Sequence, residues 1–204
     1  MLPGAFLKSH KFVIGGLMLV TLLTVGSLPF FSRDRVKNET IEASAMGTGT
    51  QLGAVVGVSI EIYDFSTPED RQVLVQAFEK GQNQGLVSAL SKMRAVGHCA
   101  ITGTLGYDVA FIRMIPTPTG RNIRWITNRL LRFGEVYWDT QSQSFNLTAG
   151  EFDLNDQDKS KSTGVLYPLC QLAMDKEGQI QFQLNQNPWK LVDVIDWKGT
   201  AGVN

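Results

Sequence analysis

The chain predicts an α+β fold. A helical hairpin near the start of one domain is followed by an antiparallel six- to seven-strand meander, as a curled sheet or a partly open barrel. Three observations predict this. Val56, Val58, Ile60 and Ile62 alternate with smaller or polar residues, the period of a half-buried strand. The period then turns helical across Val73, Leu74, Ala77 and Phe78. From His98 to Trp197 it returns to two, and helices kept apart from a run of strands mean α+β.

The elements follow in order. Lys8, His10 and Lys11 lead into Phe12–Phe31, twenty residues without a charge. This predicts a signal peptide or an N-terminal membrane anchor over residues 1–31. Gly15, Gly16, Gly26 and Pro29 dilute the run, and Val25-Gly26-Ser27 offers small residues for cleavage. The remainder is then exported: periplasmic or secreted if the leader is cleaved, membrane-anchored and facing outward if it is not. Residues 32–53 are polar and then small, with Met46-Gly47-Thr48-Gly49-Thr50 at their end, and read as a flexible tether. Residues 54–198 form the single domain, and 199–204 a disordered tail.

Thr67, Pro68 and Asp70 give the clearest helix start: a capping hydroxyl, a proline at the first helical position and an acid that can complete a capping box. Gly81 closes that helix, Gln82-Asn83-Gln84-Gly85 forms a joint, and Leu86, Val87, Leu90 and Met93 mark a second, shorter helix. Gly106–Ile115 is a strand, Pro116-Thr117-Pro118-Thr119-Gly120 a turn, and Arg121–Asn128 the return strand with Ile123 and Trp125 inward. Further strands are expected at Gly134–Asp139, Phe145–Leu154, Thr163–Met174, Gln179–Leu184 and Lys190–Trp197. A hairpin turn is expected at Asp175-Lys176-Glu177-Gly178.

Composition narrows the chemistry. From Ala54 onward, 14 Lys and Arg face 16 Asp and Glu, so no basic field draws nucleic acid, and none is expected as a partner. His98 is the one histidine beyond the leader, which excludes two-histidine metal sites and HExxH chemistry; no metal and no cofactor are expected. No GxSxG elbow accompanies it, and no catalytic residue is assigned. Asp153, Asn155, Asp156 and Asp158 lack the glycine and the distal glutamate of a calcium loop and read as a solvated turn. Glu135, Asp139, Glu151 and Asp153 are the acids from which a glycosidase pair would be drawn.

Cys99 and Cys170 either form one disulfide, suited to an oxidising compartment, or are two buried thiols. Arg113, Arg121, Arg124, Arg129 and Arg132 crowd two neighbouring strands and their exit. They either pair across strands with Asp108, Glu135 or Asp139, or hold a ligand's carboxylate or phosphate. Arg113, Arg121, Arg124 and Trp125 are accordingly the ligand-binding candidates. Trp125, Trp138, Trp189 and Trp197 read first as packing and otherwise as the lining of an apolar pocket; a large internal pocket lined by Trp125, Phe111 and Phe182 would favour ligand binding.

Thr67-Pro68-Glu69-Asp70-Arg71-Gln72, Ile115 through Arg121, Val136-Tyr137-Trp138 and Asn187-Pro188-Trp189-Lys190-Leu191 are similar to segments of a family of exported, uncharacterised bacterial proteins. The resemblance spans about residues 55–198 and implies a shared fold and an exported bacterial setting, with no activity attached. The expected function is a non-catalytic exported domain that binds a small apolar or amphiphilic ligand, or an envelope protein partner. The alternative is a cell-envelope hydrolase using acidic residues or His98 in a sheet-lined cleft. A structural protein held by its N-terminal segment is a third reading.

Overall fold

A computed structural model describes residues 38–131, 147–174, 180–184 and 187–197, all within one compact unit, Arg35–Asn204. The expected leader, tail, Gly134–Asp139 strand and Asp175–Gly178 turn lie outside the described residues. Among the described residues no helix is long and apolar enough to cross a membrane.

The fold is mostly sheet. Among the described residues ten strands run β1 (Glu39–Met46), β2 (Val55–Ile62), β3 (Gly97–Ile101), β4 (Tyr107–Val109), β5 (Phe111–Thr117), β6 (Gly120–Thr127), β7 (Leu147–Asn155), β8 (Thr163–Met174), β9 (Ile180–Leu184) and β10 (Trp189–Asp196). They pair antiparallel in the order β4–β3–β2–β1–β10–β8–β7–β6–β5, with β9 on the far half of β8. The two ends of that order, β4 and β5, are separated in sequence only by Ala110. One bent segment therefore serves both edges, and the sheet is a nearly closed barrel. Side chains and a loop bridge the seam: Thr127 Oγ1 donates to the Asp108 carbonyl at 3.0 Å, and Ser66 N–H donates to the Ile112 carbonyl at 2.8 Å.

This corrects the expected architecture of a helical hairpin followed by six or seven strands. Two strands precede the helix, and the first is built from the supposed tether. Ile41, Ala43 and Ala45 of β1 are buried while Thr40, Glu42 and Ser44 are not. The alternation is present but carried by alanines, so its hydrophobic signal is weak. The proline-rich turn is also shorter than expected. Only Pro118 and Thr119 lie between β5 and β6, and Pro116 sits in β5 opposite Arg121. A proline is tolerated there because β5 ends the pairing order.

One helical element, α1 (Pro68–Leu90), stands where two helices and a joint were expected. Its start is as predicted: the Asp70 N–H donates to Thr67 Oγ1 and the Thr67 N–H to Asp70 Oδ2, a complete capping box. No loop follows Gly81. Instead a two-residue kink, with Gly81 at φ −142° and Gln82 at φ 48°, redirects the chain. Past the kink, buried Asn83 docks on β8: its Nδ2 donates to the Leu172 carbonyl at 2.6 Å, and its Oδ1 accepts from the Leu172 N–H at 2.7 Å. A side-chain amide thus takes the place of a strand neighbour.

Strand alternation divides the apolar residues into two clusters. The barrel interior holds 20 buried residues, among them Ile60, Ile112, Ile123, Phe152, Trp125 and Trp189. A smaller outer cluster of eight places Leu74, Phe78, Leu86 and Leu90 of α1 over Leu147, Ala149 and Cys170, with Phe111, Ile126, Tyr167 and Leu172 packed beside them. At about 1.5–3 kcal/mol per buried large side chain, the interior supplies most of the stability and the helix layer less.

Two neighbouring substitutions test the kink with opposite signs. Asn83→Ala leaves both Leu172 backbone groups without their partner and should cost about 2–4 kcal/mol in denaturant unfolding. Gln82→Gly relieves a positive-φ backbone that a side chain disfavours and should stabilise by about 1 kcal/mol.

Candidate functional site

The alternation of β6 separates the four ligand-binding candidates. Arg121, Ile123 and Trp125 point into the barrel; Arg124 points out, as does its register partner on β5, Arg113. The four therefore do not form one site. Trp125 is 2% exposed and lies over Gly150, its register partner on β7, where a Cβ would overlap the indole ring. Among the described residues its Nε1 has no hydrogen-bond partner. Trp125 is packed as a core residue. Phe111 and Trp125 both line one groove of the outer face, and the Phe182 side chain lies outside the described residues.

Arg121 crosses the barrel interior to two acids. Its Nη1 donates to Glu39 Oε2 at 3.0 Å, and its Nη2 donates to Glu39 Oε1 and to Asp196 Oδ2. Glu39 and Asp196 come from the start of β1 and the end of β10. Neither partner was expected. Glu39 fell in the supposed tether, and no sequence spacing relates either acid to Arg121. Two carboxylates share one guanidinium. Burial, which outweighs the attraction of Arg121, raises the Glu39 pKa. The two acids hold the Arg121 guanidinium above its ordinary value despite its burial.

Two grooves lie on the outer face. The first, about 270 Å³, is lined by Phe111, Ile126, Ala149, Tyr167 and Leu172, with Arg124 and Glu151 at its polar side and Trp125 and Gly150 contributing to its floor. Arg124 Nε lies 3.0 Å from Glu151 Oε2, and Asn122 Nδ2 donates to Glu151 Oε1 at 2.7 Å, so this guanidinium is paired. Burial first, and then the Glu151 charge, raise the Tyr167 phenol pKa and keep it neutral. The second groove, about 520 Å³, runs between β5 and the first turns of α1 and is lined by Phe65, Pro68, Arg71, Arg113 and Met114. Phe111 lines both grooves.

The remaining candidates separate as follows. His98 borders a cavity of about 410 Å³ with Asp108 and Arg129, but both ring nitrogens are engaged. Nδ1 is 3.2 Å from Asp108 Oδ1 and Nε2 is 2.8 Å from the Leu105 carbonyl. A carbonyl only accepts, so Nε2 carries a proton and offers no lone pair to a substrate. Asp108 is therefore the partner of His98 and not of an arginine. The possible disulfide is not formed. Cys99 belongs to the barrel interior and Cys170 to the cluster under α1, on opposite faces of the sheet, and both are free. Burial pushes both thiols up to about 12, which makes them inert packing groups. Asn155 Oδ1 accepts from the Gln157 and Asp158 N–H groups and Asp158 Oδ1 from Ser160 N–H, the hydrogen bonds of a turn. Glu135 and Asp139 lie outside the described residues, as do Arg132 and Trp138. Among the described residues no group of acids, histidines and cysteines is placed to hold a metal ion. Comparison with protein-family models, curated protein sequences and solved structures finds no match to this chain.

The buried cluster makes two predictions. Arg121→Leu strands two acids and should cost about 3–5 kcal/mol in equilibrium unfolding. Glu39, with its folded pKa raised above the ordinary 4.5, stabilises the fold fully below that value, and the contribution is lost as pH rises through the folded pKa. Unfolding midpoints of wild type and Glu39→Gln across this range should therefore shift in favour of the variant as pH rises to neutrality. A shift in favour of wild type reverses the assignment.

Proposed function

We propose that this is an exported, non-catalytic domain that binds a small amphiphilic ligand in the first groove of the outer face. Export rests on the charge-free run after Lys8, His10 and Lys11. Binding rests on one observation: a mainly apolar cavity of about 270 Å³, walled by Phe111, Ile126, Ala149 and Leu172, whose lining also includes Arg124, Glu151 and Tyr167. Such a cavity, near the small end of the range for ligand pockets, suits a short apolar chain with a polar end. Arg124, Glu151 and Tyr167 are the polar residues that border the cavity. The hydrolase alternative loses its histidine base, since both His98 nitrogens are committed to Asp108 and the Leu105 carbonyl.

A neutral probe tests the groove without involving charge. The full chain, titrated with a dansylated medium-chain alcohol, should show saturable fluorescence enhancement. Ile126→Trp, which fills the groove, should weaken it at least tenfold while the unfolding midpoint stays within about 1 kcal/mol of wild type. Equal affinity in the two proteins would overturn the proposal.

A further inference from the structure

We infer that the ligand carries an anionic head, a carboxylate or a phosphate, held by Arg113 and Arg71 in the second groove; this rests on the amphiphile reading of the first. The starting observation is a conflict. Arg113 and Arg124 are directly opposed in the β5–β6 register, on the same face, and like charges so placed repel. Glu151 neutralises Arg124. Among the described residues the Arg113 side chain has neither an ion pair nor a hydrogen bond, and the same is true of the Arg71 side chain.

Both unpaired guanidiniums line the same groove of about 520 Å³. Glu69 is the one acid among its described lining residues, so the groove carries a net positive charge. The first turn of α1 adds the positive end of the helical stretch that runs from Pro68 to the kink at Gly81. Hydration stabilises an exposed arginine, but it gives no reason for two to face each other across a hairpin. An anion beside Arg113 does, because it removes the repulsion and accepts the fork of donors that a guanidinium presents. Phe111 lines both grooves, so a chain lodged in the first can pass it and place its acid in the second.

The test uses the full chain and three dansylated probes of equal chain length: the alcohol, the carboxylic acid and the phosphate monoester. At low ionic strength one or both anionic probes should bind at least tenfold more tightly than the alcohol, and whichever is preferred distinguishes the two heads. Arg113→Ala and Arg71→Ala should each weaken the anionic probes about five- to tenfold and leave the alcohol unchanged. Equal binding of all three, or an equal loss for all three in Arg113→Ala, would overturn the anionic head while leaving the groove in place. An Ile126→Trp variant that binds every probe as wild type does would overturn both readings.

Discussion

Closure of the sheet at Ala110 is the constraint on which the rest depends. Three residues of β4 pair with β3, and the next strand, after a single bend, pairs with β6. Had β4 and β5 belonged to separate regions of the chain, the sheet would have had two open edges, each with unpaired backbone groups. Instead one segment satisfies both edges, and Thr127, Ser66 and Val96 hydrogen-bond the backbone where the ladder is interrupted. Closure gives every strand an inside and an outside. From then on a residue's parity decides its role. Arg121 and Trp125, four residues apart on β6, fall inside; Arg124, between them, falls outside.

What the sequence revealed and what it hid both follow from range. Local signals were legible: the Thr67–Pro68–Asp70 start of α1, the β2 alternation and the β5–β6 hairpin are each encoded within about ten residues. β1 was not, because alanines carry its buried face and it has value only as a partner of β2 and β10. The kink of α1 shows the same limit. Gly81 marked an end to helical geometry, but the reason the helix resumes immediately is Leu172, far away in the chain. Of the candidate site, the crowding of arginines was legible and their division was not. Parity along β6 separates Arg121 from Arg124 by simple alternation, yet which parity faces the interior depends on closure.

The two faces treat charge differently. Inside, Arg121 is matched by more carboxylate than it can neutralise, and burial raises the proton affinity of Glu39 to compensate. These three residues tie β1 and β10 to β6, so the cluster works as a clasp on those strands. Fixing such a cluster is costly in desolvation, which points to registry rather than net stability as its contribution. None of the grooves described above is lined by Glu39, Arg121 or Asp196.

Outside, the balance runs the other way. The helix layer is the smaller of the two clusters, so its grooves can change shape or be filled at less expense than the interior. It is also where local rules are broken: arginine faces arginine across β5 and β6, and Glu151 pairs with only one of them. A sequence under selection for stability alone would place an acid or a neutral residue opposite Arg124. Retaining Arg113 there, within a groove that Arg71 also enters and next to an apolar cavity, is economical if an anion completes the set. The interior keeps the barrel in register, and the exterior leaves Arg113 without an ion-pair partner among the described residues, beside the cavity best suited to an apolar chain.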